Sequence, residues 1–183
     1  MNFIALETRR LSLKGLTPED MSYIFGHLAK DDIKKVLGHR SEEEYLTEEK
    51  KYLQGYASYN RRFVLFLMTD KSSGQIIGRC GLHNWNPDHF RSEIGYVMLE
   101  DDFKRKGLMT EAVEAIIHYG FTQLHLNRIE ALVGPNNIPS LRIMEIFGFE
   151  KEGVLQQHYR VGDVFEDSVV FGLLREKMPV LNW

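Results

Sequence analysis

Apolar and polar residues alternate over Arg10-Leu11-Ser12-Leu13-Lys14, the period of a half-buried strand. Thr17-Pro18-Glu19-Asp20 then has the marks of a helix start: Thr as N-cap, Pro in the first turn, acids beside the positive end of the helix dipole. One or two short helices are predicted from there to about Leu37. Ser41-Glu42-Glu43-Glu44 is a second start, with Ser and Glu spaced as a capping box. Its helix is predicted to reach about Tyr59, with Tyr45, Glu49, Tyr52 and Tyr56 near one face. The acids of its first turn complement the dipole and need no substrate to explain them.

The short apolar run Phe63-Val64-Leu65-Phe66-Leu67-Met68 suits a buried strand. Lys71-Ser72-Ser73-Gly74 makes a turn, and Gln75–Leu82 returns as its hairpin partner. After an Asn84–His89 loop, Ser92–Leu99 is a third strand in series, so an antiparallel meander is expected. The period then changes. Val113, Ile116, Ile117, Gly120 and Leu124 predict a helix over Thr110–Leu124. Arg128–Val133 reads as a strand, and Ile138–Phe147 as a short helix stopped by Gly148. Two last strands flank a Val161-Gly162-Asp163 turn and end near Leu174. The order β, helices, βββ, α, β, α, ββ predicts an α/β (α+β) fold, a mixed sheet with helices on its faces.

Composition narrows the setting. The 183 residues suit one domain, expected to span 1–183 with no linker. A chain of this length buries roughly 70% of its unfolded surface, enough to fold without a metal or disulfide. Its 23 basic and 26 acidic residues give a net charge of −3, which argues against a broad electrostatic surface for nucleic acid. The one cysteine, Cys80, reads as a packing thiol and fits a reducing cytoplasm. The longest stretch without Asp, Glu, Lys or Arg is Ala115–Asn127, too short to cross a bilayer, and Met1–Arg10 has no apolar signal region. His118 and His125 are seven apart, and no His-Glu-x-x-His motif or Cys cluster occurs, so no metal site is expected.

Two segments could carry chemistry. Lys104-Arg105-Lys106-Gly107-Leu108-Met109-Thr110 follows a strand and opens a helix, where free backbone N–H groups favour anions. It is neither a Walker A loop nor a Gly-x-Gly-x-x-Gly fingerprint. Asn137-Ile138-Pro139-Ser140 opens the next helix, and capping alone explains its residues. In series, the two segments resemble the cofactor motifs of the GNAT acetyltransferases. Glu93-Ile94-Gly95-Tyr96, Gly107 and Thr110-Glu111-Ala112 resemble the RimJ/RimL branch of that family.

The resemblance implies a GNAT fold: a mixed, mostly antiparallel sheet of about seven strands with helices on both faces and a splay between the fourth and fifth strands. Acetyl-CoA would lie in the splay. Main-chain groups of Val97, Met98 and Leu99 would bond its pantetheine, and the segment Lys104, Arg105, Lys106, Gly107, Leu108, Met109 and Thr110 its pyrophosphate. Asn137 would reach the pantetheine arm and Ser140 the sulfur. Met109 is larger than the usual Gly or Ala, so its side chain must turn away from the phosphates. Met144 stands where many GNATs have a Tyr as general acid.

The implied function is acetyl-CoA-dependent N-acetylation of a primary amine by direct attack in a ternary complex. The acceptor would be a protein N-terminal α-amine, such as that of a ribosomal protein, or a small amine. Glu93 is the first candidate base, acting through water, and His83 the second. Ser140 is the candidate acid, and the N–H of Met98 the oxyanion donor. A salt bridge for Glu93, a structural hydrogen bond for His83 and a first-turn hydroxyl for Ser140 are the competing readings. A homodimer is among the partners that the resemblance suggests, while the balanced charge and the short uncharged stretch point to no direct nucleic-acid or membrane contact. A non-catalytic acyl-CoA-binding or regulatory module is the alternative that Met144 keeps open.

Overall fold

The computed structural model describes residues 3–55 and 62–178. Eight strands form one sheet. They are β1 (Ile4–Glu7), β2 (Leu11–Leu16), β3 (Arg62–Asp70), β4 (Ile76–Asn86), β5 (Arg91–Met98), β6 (Arg128–Val133), β7 (Glu150–Val161) and β8 (Val164–Leu174). The spatial order is β1-β2-β3-β4-β5-β6-β8-β7. All pairs are antiparallel except β5 with β6. The alternation expected from Arg10 onward is β2, with Leu11 and Leu13 buried. The sheet has one strand more than the seven expected. The extra strand is β1, a four-residue edge whose side chains alternate between exposed and half-buried.

Among the described residues five helices flank the sheet: α1 (Pro18–His27), α2 (Lys30–Leu37), α3 (Glu42–Gln54), α4 (Leu108–Thr122) and α5 (Ile138–Ile146). Thr17 caps α1 in a full capping box with Asp20, and the Ser41 side chain accepts the Glu44 N–H at the start of α3. Helix α3 ends at Gln54, short of the Tyr59 expected; Tyr56 and Tyr59 lie outside the described residues. Strand alternation divides the core. Leu11, Leu13, Val64, Phe66, Met68, Cys80 and Leu82 pack with α4 and α5 on one face. Leu16 and Leu67 pack with α1, α2 and α3 on the other.

The site depends on one irregularity. Strands β5 and β6 pair only from Arg91 to Glu93 against Arg128 to Glu130. Beyond that, β5 continues with β4 to Met98 and β6 continues with β8 to Val133. The two strands therefore part, and this is the splay expected between those segments. A second irregularity lies in the β4–β5 hairpin. The β4 strand runs on to Asn86, where a loop from Asn84 was expected, and its register shifts between His83 and Asn86. Asn84 sits there at φ 49°, in the left-handed region where Asn is enriched.

Candidate active site

The register of β5 decides which of its main-chain groups face the splay. The Leu99 N–H donates to the Ile77 carbonyl at 2.9 Å, so Leu99 points toward β4. In an antiparallel ladder the main-chain groups of alternate residues face opposite sides. Val97 therefore also faces β4, and the groups of Tyr96 and Met98 face the splay. The Leu99 carbonyl accepts the Arg40 Nη1 at 2.9 Å. This corrects part of the expectation: Leu99 is fully engaged elsewhere, the Val97 main chain faces β4, and Met98 alone of the three presents its main chain to the splay.

A cavity of about 610 Å³ opens there, between β5 and the first turns of α4 and α5. Val97, Met98, Lys104, Arg105, Gly107, Leu108, Met109, Thr110, Asn137 and Ser140 all line it. Lys106 and Leu99 are not part of this lining. Lys106 instead gives its carbonyl to Arg10 Nη1 at 2.9 Å and sets its ammonium 5.5 Å from the Phe103 ring centre. Lys104 pairs with the exposed Asp101 at 2.5 Å, and that contact holds the Asp101 carboxyl below its usual range. Pairs this exposed are weak, so Lys104 can exchange partners at little cost.

Helix α4 has Gly107 at its N-cap, at φ 74°, and no side chain caps its first turn. Its leading N–H groups are therefore open to an anion in the cavity. Helix α5 is capped instead: the Asn137 Oδ1 accepts the Ser140 N–H at 3.2 Å. Met109 is partly buried against the core and also lines the cavity. Met144 is fully buried and takes no part in the cavity.

A second cavity, of about 490 Å³, lies on the α3 face of the sheet. Phe63 and Leu65 make its apolar walls, and Glu48, Lys51, Arg79 and His83 its polar ones. Tyr96 and Val97 line both cavities, so β5 is the wall that the two share. Glu48 is buried, 3.5 Å from Arg79 Nη1 and 3.3 Å from Lys51 Nζ.

His83 and Glu93 stand opposite each other on β4 and β5. The His83 Nε2 lies 3.2 Å from one Glu93 oxygen, and Asn84 Nδ2 donates to the other at 2.9 Å. Burial pushes the Glu93 carboxyl up, but the His83 hydrogen bond and charge, Asn84 and the more distant His158 outweigh it, leaving it below the usual range. Glu93 is buried while the His83 side chain is 43% exposed and lines the second cavity. The order of the two candidates therefore reverses: His83 meets the cavity, and Glu93 stands behind it. With Nε2 held by Glu93, Nδ1 is the nitrogen left to take a proton.

Three further residues emerge from packing alone. Tyr96, an unremarked member of the Glu93–Tyr96 segment, packs its side chain on the α4 and α5 face, where it lines the first cavity. Arg142, on α5, adds a cation to the rim of the first. Glu111 joins α4 to the β1–β2 turn, accepting from Thr8 Oγ1, Arg10 N and Arg10 Nε at 2.6 to 2.7 Å. Cys80 is buried opposite Tyr96 in the ladder, and burial pushes its thiol well up, as suits a packing residue. Among the described residues no three His, Cys, Asp or Glu side chains gather as metal ligands, and no helix is long and apolar enough to cross a membrane.

The model of the Acetyltransferase (GNAT) domain matches residues 10–150. The chain is 31% identical over 170 residues to an uncharacterised N-acetyltransferase, YoaA, of Bacillus subtilis, covering 91% of this chain and 95% of that protein. It is 28% identical over 109 residues to a spermidine N(1)-acetyltransferase of Escherichia coli, covering 60% of this chain and 55% of that one. Its fold is shared with a GNAT-family acetyltransferase from Bacillus anthracis, with a TM-score of 0.67 and 24% identity over 94% of this chain and 99% of the other.

Proposed function

From the premise that this chain belongs to the GNAT acetyltransferases and is an N-acetyltransferase, we propose that it moves the acetyl group of acetyl-CoA to a primary amine by direct attack. The single observation that carries this reading is the pair of cavities that share β5 as a wall at Tyr96 and Val97. One fits a long anionic donor and the other an acceptor, with one strand between them.

The fit to acetyl-CoA rests on this chain's own groups. The open N–H groups from Gly107 to Thr110 take the pyrophosphate, with Lys104, Arg105 and Arg142 around it. The Met98 main chain extends the sheet toward the pantetheine amides, and its N–H polarises the thioester carbonyl. The acceptor enters from the α3 side. His83 Nδ1 removes a proton from the attacking amine, and Glu93 fixes the ring and stabilises the charge it gains. An α-amine with a pKa near 8 is in good part neutral at cellular pH, so such a base has little to do before attack.

The acceptor class is a protein N-terminal amine, as in the RimJ/RimL branch, or a small amine. The spermidine acetyltransferase among the relatives supports the latter. The net charge of −3 gives a slight preference to a cationic acceptor.

Calorimetry with acetyl-CoA, followed by a thiol-release assay against spermidine and short peptides with free N-termini, tests the proposal. Binding and amine-dependent release are expected. Binding without release from any amine would leave a non-catalytic acyl-CoA module, and no binding at all would remove both readings.

A further inference from the structure

The last two strands form an arm. Strand β6 ends at Val133, which pairs with Val169 of β8. Residues 164–168 of β8 and 155–161 of β7 therefore run on past the sheet as a hairpin, with each other as their only strand neighbours among the described residues. Its own polar groups tie it together. Arg160 Nη2 lies 2.9 Å from Asp163, His158 Nδ1 lies 3.1 Å from Ser168 Oγ, and the Gln157 N–H donates to Asp167 at 2.8 Å. A two-stranded hairpin is only marginally stable in water unless something packs on it.

The arm is apolar on both faces. Val154, Leu155, Tyr159, Val161, Val164 and Phe165 are each 42% to 63% exposed. Cross-strand partners share a face, and faces alternate along a strand. Val164, Glu166 and Ser168 therefore stand on one face with their partners Val161, Tyr159 and Leu155. Phe165 stands on the other with Val169, Phe171 and Leu173, the face of α4 and α5, together with Val154 opposite Val169. The six side chains leave on the order of 500 Å² of apolar surface in water, as much as the largest patch on a typical monomer. With the charged side chains around them, Arg160, Asp163, Glu166 and Asp167, the arm approaches the ~800 Å² that each partner covers in a standard interface.

We propose that this arm is the surface on which two copies of this chain pair. A ligand laid on the sheet covers one face of the arm and leaves the other wet. A macromolecule can close round both, and a second copy carries the matching apolar surface in its own arm. About a two-fold axis the same patch serves both copies, so the contact closes at two and leaves no arm free to grow a filament. Pairing also shields β7, the outermost strand, whose open edge is otherwise a template for further strands. Through the register Glu93–Glu130–Gly172, the Val164 face is the one that carries His83 and Glu93. The paired arms therefore border the side of the sheet where the acceptor enters. The pairing itself does not depend on the acetyl-transfer reading.

Sedimentation equilibrium of the wild-type protein should show twice the mass of the chain, falling to the single mass only on dilution. Val164→Lys and Phe165→Glu each put a charge on one face of the arm at an exposed position. Circular dichroism should keep the native spectrum, while the dimer dissociates about 30-fold or more readily. Leu53→Lys, at an exposed apolar position of α3, is the control and should leave the dimer intact. In the wild type, hydrogen exchange over residues 154–165 should slow as concentration rises, a readout that needs no variant. A wild-type monomer at every concentration would overturn the proposal, and so would a dimer that survives both charges. A monomer whose Val164→Lys variant loses turnover of peptides but not of spermidine would give that face to the acceptor, and the pairing would fall with it.

Discussion

The Nε of Arg10 meets a Glu111 carboxylate oxygen at 2.6 Å, and the same guanidinium reaches on to the Lys106 carbonyl at 2.9 Å. One side chain thus ties the β1–β2 turn, the start of α4 and the loop before it. Glu111 is largely buried. Burial pushes its carboxyl up, but the hydrogen bonds from Thr8 and Arg10 outweigh that and leave it below the usual range. A carboxylate whose folded value is depressed contributes stability that is present above its unfolded value, near 4.3, and lost as pH falls through the folded one. Arg10 is itself over a third exposed, so only the bonds at buried Glu111 are counted. Glu111→Gln should cost about 2 kcal/mol at neutral pH, or a melting midpoint lower by about 4–8 °C. The gap from wild type should close in acid, below the carboxylate range. Melting curves that stay parallel down to strong acid would show that the charge of Glu111 is not what matters.

Gly107 carries the second prediction. Its φ of 74° is left-handed, so any β-branched residue there is strained by about 1–2 kcal/mol. A Cβ would find only Arg10 Nη2, at an ordinary 3.6 Å. The protein therefore has room for a side chain, and the phosphates do not. Gly107→Val should keep the fold, with a melting midpoint lowered by a few degrees. Calorimetry should show acetyl-CoA affinity reduced by about 100-fold or more. Wild-type affinity in that variant would move the pyrophosphate away from the start of α4.

The parts that were legible in the sequence are those set by local rules. Thr17, Ser41, Asn137 and Gly148 each act within a turn of themselves, and each marks a helix end where the sequence placed it, whereas α4 starts at Leu108 behind Gly107, ahead of the Thr110 expected. The meander followed from apolar runs separated by turns. What was not legible depends on partners far along the chain. Glu111 belongs to a family-like motif, but its bonding partners lie about a hundred residues earlier. The hydrogen-bonding side of Leu99 is set by which β4 residue it faces, a register that the sequence of β5 does not encode. The family resemblance, which places an acid on the splayed strand, put Glu93 ahead of His83. Only burial shows that the carboxylate stands behind the imidazole. The short edge strand β1 has too few residues to show a period at all.

That order, with His83 in contact and Glu93 behind it, predicts a specific failure of additivity. His83→Ala should lower turnover by about 100-fold, the typical contribution of a general base, with acetyl-CoA affinity intact. Glu93→Gln should lower it less, because the ring remains but loses its anionic partner. If Glu93 acts through His83, adding Glu93→Gln to His83→Ala should change little further. A second full drop in the double variant would instead make Glu93 an independent base.

Gly95 offers a test of His83 that leaves the imidazole in the protein. The His83 ring lies against Gly95, so a Cβ there would come within 2.8 Å of His83 Cε1 and 3.2 Å of Nδ1. Real Cβ contacts do not come that close, so something must move. The backbone on both sides is held in the β4–β5 ladder, whereas His83 is partly exposed and its ring is the free end of a side chain. The ring therefore yields. Gly95→Ala should displace the imidazole from Glu93 while leaving the sheet paired, since Ala is a compatible strand residue at an ordinary φ. Turnover should fall by roughly 10-fold or more, because a base moved by an ångström loses its alignment. The melting midpoint and acetyl-CoA affinity should stay close to wild type. The His83 ring resonances should report the displacement directly, through a change in chemical shift. Full activity in Gly95→Ala would mean that the position of His83 over Gly95 has no part in the reaction.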